Sequence, residues 1–371
     1  MILIPRFLYN PLLKNNEIDM RLIKILFLLA IFAQNISCQK MKEKEIPQFQ
    51  VEICAPANPY RIEFVDDKII TLEGIPASLP YGGTSGEWGT SGKGWTEQHG
   101  TPIGADITYY AGYEDTFYHL KADFPEDKIK DYMERAYAQS EAPLYTEELQ
   151  EYKNLGRNET FGSAQNPYNS FSTLVFGFAP KGMVVVWLRF RAVQIELGRF
   201  QADVVKNDKE LEKKLFAKWS MTREEVKKRD FNPDASPVTW DNYRTKYSWK
   251  PLITSQNKGL RLFDMNLDFY NGETEVMLRP WINNIQIKER AIPKELNFTW
   301  ETGKGQQYLG RAFFSWEKAN EAFRKTGSKG NLELTIAPDN SGFQISLNGE
   351  PFPADSIRIF KTEKEFHDSY K

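Results

Sequence analysis

The chain has 371 residues, with 48 Lys and Arg against 50 Asp and Glu, three histidines and two cysteines. This near-neutral balance lacks the clustered basic charge of nucleic-acid binders, and the scattered His99, His119 and His367 form no zinc-site spacing with Cys38 and Cys54. Aromatic residues make up 14% of the chain, which fits strands, where rings pack well on a pleated surface.

Residues 1–37 read as a signal region. Arg21 and Lys24 precede the apolar run ILFLLAIFA (Ile25–Ala33), and small or polar residues lead to Ser37-Cys38. The run is shorter than the roughly 20 residues of a membrane span. A core helix is the alternative, but the polar segment QKMKEKE follows at once. Met20 offers a second start, so residues 1–19 read as an upstream extension. Cys38 stands where a bacterial lipoprotein signal places its acylated cysteine, with Ser37 before it and Asn35 where leucine is usual. Several acyl chains would give stable anchoring. The alternative for Cys38 is a disulfide with Cys54; with Cys38 acylated, Cys54 is expected as a small buried residue. Removing residues 1–37 takes away Arg6, Lys14, Arg21, Lys24, Glu17 and Asp19, so 48 cations become 44, 50 anions become 48, and the net charge is near −4.

Residues 38–48 read as a lipidated, charged tether. Strands are expected over Gln50–Ile53, Tyr60–Val65 and Lys68–Leu72, then over Ile107–Tyr110 and Thr116–Leu120 around Gly112. A helix is predicted from Pro125, with Ile129, Tyr132, Met133, Ala136 and Tyr137 on one face, and a second over Thr146–Lys153. Phe171–Phe178 and Met183–Phe190 read as a hairpin about Ala179-Pro180-Lys181-Gly182. The run Val184–Leu188 reads as a strand buried on both faces, with Arg189 and Arg191 outward. A strand region over Ile195–Val205 precedes two helices. The first, Asp208–Trp219, presents Leu211, Leu215, Phe216 and Trp219; the second opens on the capping box Thr222-Arg223-Glu224-Glu225. A loop at 232–237 leads to a short strand over Tyr243–Lys250.

A boundary is placed near Ser255–Gly259. Beyond it, strands are expected over Leu260–Tyr270, Glu275–Leu278, Asn284–Arg290, Glu295–Thr299, Asn331–Ile336, Gly342–Leu347 and Ser356–Lys361. Asn271-Gly272 marks a hairpin, and one helix runs from Ser315 to Lys325. The expected fold is α+β and sheet-dominated: antiparallel, sandwich-like sheets with inserted helices, in two lobes. One lobe spans 49–254 and the other, 255–371, is β-rich with one helix.

The stretch LPYGGTSGEWGTSGKGW (Leu79–Trp95) invites comparison with a phosphate loop. Such a loop needs a glycine where Glu87 stands and a hydroxyl where Gly94 follows Lys93, so no nucleotide or other cofactor is expected. The stretch reads as a long surface loop, in which Trp88 and Trp95 either cap the end of a sheet or project as contacts. Lys93 and His99 belong to the same candidate surface. Glu114, Asp115 and His119 are the nearest residues able to transfer protons; period-two alternation puts Asp115 and His119 on one face. An ion pair or hydrogen bond at the surface is the simpler reading of them. No nucleophile elbow and no metal site is evident.

The order LPYG…WG…GKGW, GTPIGADITYYAGYEDTFYHL, FGFAPKGMVVVWLRF, YSWK and DFYNGE resembles the bacterial lipoprotein family called domain of unknown function 2931, from about Tyr60 to Tyr270. The resemblance implies a lipoprotein, in keeping with Cys38, and carries over no catalytic residue. Some members look like immunity proteins encoded beside secreted type VI effectors, especially lipases. The resulting expectation is a lipid-anchored protein of the bacterial cell envelope with a binding role, leaning away from catalysis, whose partner is an effector protein, another envelope protein or a glycan. An envelope-polymer hydrolase and a structural subunit of an outer-membrane assembly are the alternatives.

Overall fold

The computed structural model describes residues 46–56, 60–91, 93–138, 152–153, 168–169, 172–190, 192–279, 281–326 and 329–363. The signal region and Cys38 lie outside them, as do Arg191 and most of the helix expected at Thr146–Lys153.

The first half of the chain contributes β1 (Gln48–Cys54), β2 (Ile62–Thr71), β3 (Ala77–Ser78), β4 (Gly94–His99), β5 (Pro102–Ala111) and β6 (Thr116–Asp123). Helix α1 (Glu126–Met133) precedes β7 (Arg135–Ala138), β8 (Tyr152–Lys153), β9 (Tyr168–Asn169), β10 (Ser172–Ala179), β11 (Met183–Phe190), β12 (Val193–Gln201) and β13 (Asp203–Val204). Three helices follow: α2 (Lys209–Phe216), α3 (Arg223–Asp230) and α4 (Val238–Tyr243). The second half holds β14 (Lys246–Ser255), β15 (Arg261–Phe269), β16 (Thr274–Leu278), β17 (Lys288–Ala291), β18 (Pro293–Glu301) and β19 (Gln307–Phe313). It closes with α5 (Trp316–Thr326), β20 (Lys329–Ile336), β21 (Phe343–Leu347), β22 (Glu350–Pro351) and β23 (Ser356–Thr362).

The fold is sheet-dominated, as expected. A ten-stranded sheet runs β23-β19-β18-β15-β16-β12-β11-β10-β1-β4. A five-stranded sheet, β13-β6-β5-β2-β3, packs on one hydrophobic core, and another, β17-β14-β20-β21-β22, on a second. Pairing is antiparallel except for β1 with β10 and β14 with β20. Strand β14 precedes position 255 in the chain but packs its Trp249 and Ile253 into the second core.

Strand β11 shows how the first core is closed. Side chains alternate across a strand. Val184, Val186 and Leu188 therefore enter the core shared with Ile69, Ile107 and Leu120 of the facing sheet. Met183, Val185 and Trp187 point the other way, onto Cys54, Val175 and Ala179, under Trp88 and Trp240. Each fully buried aliphatic side chain of this kind stabilises the fold by about 1.5–3 kcal/mol. Helices α2 and α3 cover the outer face of β5 and β6, where Tyr110 and Phe117 meet Leu215 and Val226, with Leu211, Phe216 and Trp219 packed beside them. The capping box is present: Glu225 N donates to Thr222 Oγ1, and Thr222 N donates to Glu225 Oε2 at 2.7 Å. The second core holds Trp249, Met265, Phe298, Trp300, Phe323 and Leu334.

Local expectations change in several places: the strand expected over Asn284–Arg290 is confined to Lys288–Ala291, and Tyr152–Lys153, expected as the end of a helix, form a short strand. Tyr60–Val65 and Lys68–Leu72 merge into one strand, β2, with a register shift between Phe64 and Asp66 opposite β5. Helix α1 ends at Met133, because Ala136 and Tyr137 pair with Tyr152 and Asn169 in a small sheet. The loop at 232–237 runs into α4, capped by Pro237. Strand β19 was masked in the sequence by Gly310; a Cβ there would lie 2.8 Å from the Phe298 ring, so the glycine makes room for the neighbouring strand's aromatic.

The strands bearing the two cores are joined at a narrow seam. Strands β12 and β16 share the single register pair Gln194↔Thr274. Around it, Thr274 Oγ1 donates to Ala192 O at 2.8 Å, and Glu196 N donates to Glu273 Oε1 at 3.1 Å. Glu196 also accepts from Arg244, and Lys246 pairs with Glu273 at 2.6 Å.

Candidate functional site

The glycine-rich loop between β3 and β4 has two halves that differ in structure. Its regular backbone pairing is one bridge, Glu87↔Thr90, and glycines 82, 86 and 89 take positive φ. The inner half, Glu87–Thr90, is fastened to the seam. A Cβ on Gly89 would lie 2.6 Å from Gly272 Cα, so two glycine backbones touch. The buried Gln194 side chain donates from Nε2 to Gly89 O at 2.9 Å and also to Gly272 O. Trp187 Nε1 donates to Asn271 O at 3.1 Å, and Lys294 pairs with Glu87 at 3.0 Å. Trp88 is half-buried, edge-on to Trp187 at 5.2 Å and 6.1 Å from Trp240. Beneath it Cys54 is a free, fully buried thiol, pushed up to about 12 by burial. It therefore stays protonated and packs as a small apolar group.

The outer half is Tyr81-Gly82-Gly83, with Lys93 at the far end of the loop. Tyr81 is 83% exposed. Thr84 ties this half to β2: its N–H donates to Ile62 O at 3.3 Å, and Ile62 N donates to Thr84 Oγ1 at 3.4 Å. Two charged groups flank the glycines. Lys93 Nζ donates to Gly83 O at 2.7 Å, and a Cβ on Gly82 would lie 3.1 Å from that same nitrogen. A Cβ on Gly83 would lie 2.6 Å from Glu63 Oε1 and 2.5 Å from Ile62 O. Only glycine leaves the Glu63 carboxylate where it stands. Burial pushes the Glu63 carboxyl up, against the opposing charges of Lys93 and Arg61. The chain thus brings an exposed ring, a carboxylate and an ammonium to one two-residue step of backbone.

The other candidate residues are placed separately. Glu114 is almost wholly buried: it accepts from Tyr118 OH at 3.1 Å and from Lys181 N, and pairs with Lys181 Nζ at 3.1 Å, which fastens the β10–β11 turn. Asp115, in the β5–β6 turn, accepts from Tyr110 OH at 3.0 Å, Arg223 Nε at 2.6 Å and Lys227 Nζ at 2.9 Å. Burial opposes its ionisation, but the hydrogen bonds from Arg223, Lys227 and Tyr110 outweigh that and hold the carboxyl below its usual range. His119 lies 2.7 Å from Asp106, on the neighbouring strand, and not against Asp115. The expected Asp115–His119 face therefore resolves into an ion-paired Asp115 and a separate hydrogen bond between His119 and Asp106. His99 is exposed at the end of β4, opposite Gln48, and Trp95 is placed by its backbone opposite Val51, its side chain lying outside what is described. Among the described residues, no three His, Cys, Asp or Glu side chains gather as metal ligands. Tyr81 and Glu63 escaped the sequence reading; the signal was the Tyr-Gly-Gly step itself.

No curated protein and no solved structure matches the chain. A family model described as "Protein of unknown function (DUF2931)" matches residues 37–238, more than half of the chain, and includes the glycine-rich loop. The chain belongs to this DUF2931 family.

Proposed function

We propose that the protein is a lipid-anchored component of the bacterial cell envelope that binds a partner and catalyses no reaction on it. The observation that carries this reading is the separate engagement of Glu114, Asp115 and His119. Each is held by its own internal partners, while the outer half of the glycine-rich loop turns an aromatic ring to solvent. General acid–base chemistry needs such groups to converge on one reacting atom. The anchor reading rests on the apolar run before Cys38, and the family match that begins at residue 37 is consistent with it.

The test is fractionation of cells expressing the full chain beside its Cys38→Ser variant, with intact mass of the purified protein. The wild type should sit in the membrane fraction carrying acyl mass, and the variant should be released. A wild-type chain that is soluble and unacylated, and that hydrolyses an envelope polymer, contradicts the proposal.

A further inference from the structure

The step Tyr81-Gly82-Gly83 carries more detail than a general binding surface. Resting on the binding reading above, we infer that Tyr81, Glu63 and Lys93 form a subsite for one pyranose unit of an envelope glycan.

Three features of the geometry favour a sugar. First, Tyr81 is 83% exposed, and the two glycines that follow it in the chain lie against the Lys93 ammonium and the Glu63 carboxylate. The core of a protein–protein interface is instead built from clustered aromatic and apolar side chains depleted in charge. A pyranose matches the opposite pattern: its C–H face packs on one aromatic ring while its rim is all hydroxyls. Second, Glu63 makes no hydrogen bond or ion pair with another described side chain, although it is largely removed from water. An ionised carboxylate is an acceptor only, with room for two hydroxyl donors, and charge-assisted bonds of this kind are among the stronger ones. Third, Lys93 Nζ has three donor hydrogens and places one on Gly83 O, leaving donors for a ring or hydroxyl oxygen. The glycines are what bring these groups together. A side chain at Gly83 would strike both the Ile62 carbonyl and the Glu63 carboxylate, and one at Gly82 would press on Lys93.

The unpartnered carboxylate also distinguishes this place from the rest of the loop region. Glu114 and Asp115 are each satisfied by three donors from their own fold. Glu63 instead bears a desolvation cost that no hydrogen bond offsets, only the charges of Lys93 and Arg61, which leaves its oxygens open to an external donor.

The test is titration of the purified full chain with cellohexaose, chitohexaose, mannohexaose and xylohexaose, followed by ligand-observed NMR. At least one should bind saturably. Tyr81→Ala should weaken that binding about tenfold or more, Tyr81→Phe should keep it, and Glu63→Gln should weaken it while the melting temperature holds or rises. Binding that Tyr81→Ala leaves unchanged overturns the inference. So does an absence of binding to every probe, even where Tyr81 contacts an envelope protein; that second outcome rejects the sugar and leaves the binding reading standing.

Discussion

The two halves of the glycine-rich loop share a composition and differ in what their glycines do. At Gly89 the missing Cβ lets one backbone touch another, and Gln194 donates to the carbonyls of both glycines in that contact. At Gly83 the missing Cβ leaves space for a charged side chain that the fold does not satisfy. The first use is architectural and the second leaves chemistry exposed. Glycine enrichment alone therefore says nothing about ligand binding; the atom each absent Cβ would meet does.

The comparison can be broken most forcefully from the inner side. Trp187→Ala removes the fully buried ring against which Trp88 and Gly272 pack, and should cost about 3–5 kcal/mol in chemical denaturation. Gly89→Ala forces a methyl onto Gly272 at a φ of 82°, and should cost about 1–3 kcal/mol in the same measurement. Equal tolerance at Gly89 and at the open position Gly74, where nothing lies within 4 Å of the added Cβ, would dissolve the distinction.

The satisfied and unsatisfied carboxylates sharpen it further. Asp115 is held below its usual range, so its stabilising contribution is present above the unfolded value near 3.9 and is lost as pH falls through the folded value. Acid denaturation of Asp115→Asn should accordingly show a shallower loss of stability below about pH 4 than the wild type, from a lower starting stability at neutral pH. Glu63 has the opposite sign. Its carboxyl is raised, so the fold favours the protonated form and ionisation above the normal carboxylate range works against folding. Glu63→Gln should therefore hold or raise the melting temperature at pH 7, the pattern of a group kept at the expense of stability. Tyr81→Ala should have the smallest effect on stability, within about 0.5 kcal/mol, because so little of the ring is buried.

Much of this architecture was legible because its signals are local. The β10–β11 hairpin, the capping box at Thr222 and Glu225, and the turn at Asn271-Gly272 each depend on residues within a few positions of one another. The α2 stripe Leu211, Leu215, Phe216 and Trp219 was equally readable from its spacing. Failures occurred where distant contacts decided. Gly310 weakened the signal for β19 because its purpose is the Phe298 ring of β18. Ala136 and Tyr137 fit a helical face, yet pairing with β8 and β9 took them. The Gly89–Gly272 contact joins segments far apart in the chain and left no trace in either. In the candidate site, the loop and Lys93 were legible from composition; Glu63 was not, because having no partner is a property of the folded chain alone.

The account turns on whether the outer half of the loop meets something in the envelope. A photoreactive phenylalanine placed at Tyr81 in the full chain, irradiated in intact cells, tests this directly, with the same group at the exposed Phe231 as the control. The account predicts a discrete adduct from position 81 and none of the same size from position 231. No adduct from position 81, or the same adducts from both, would contradict it.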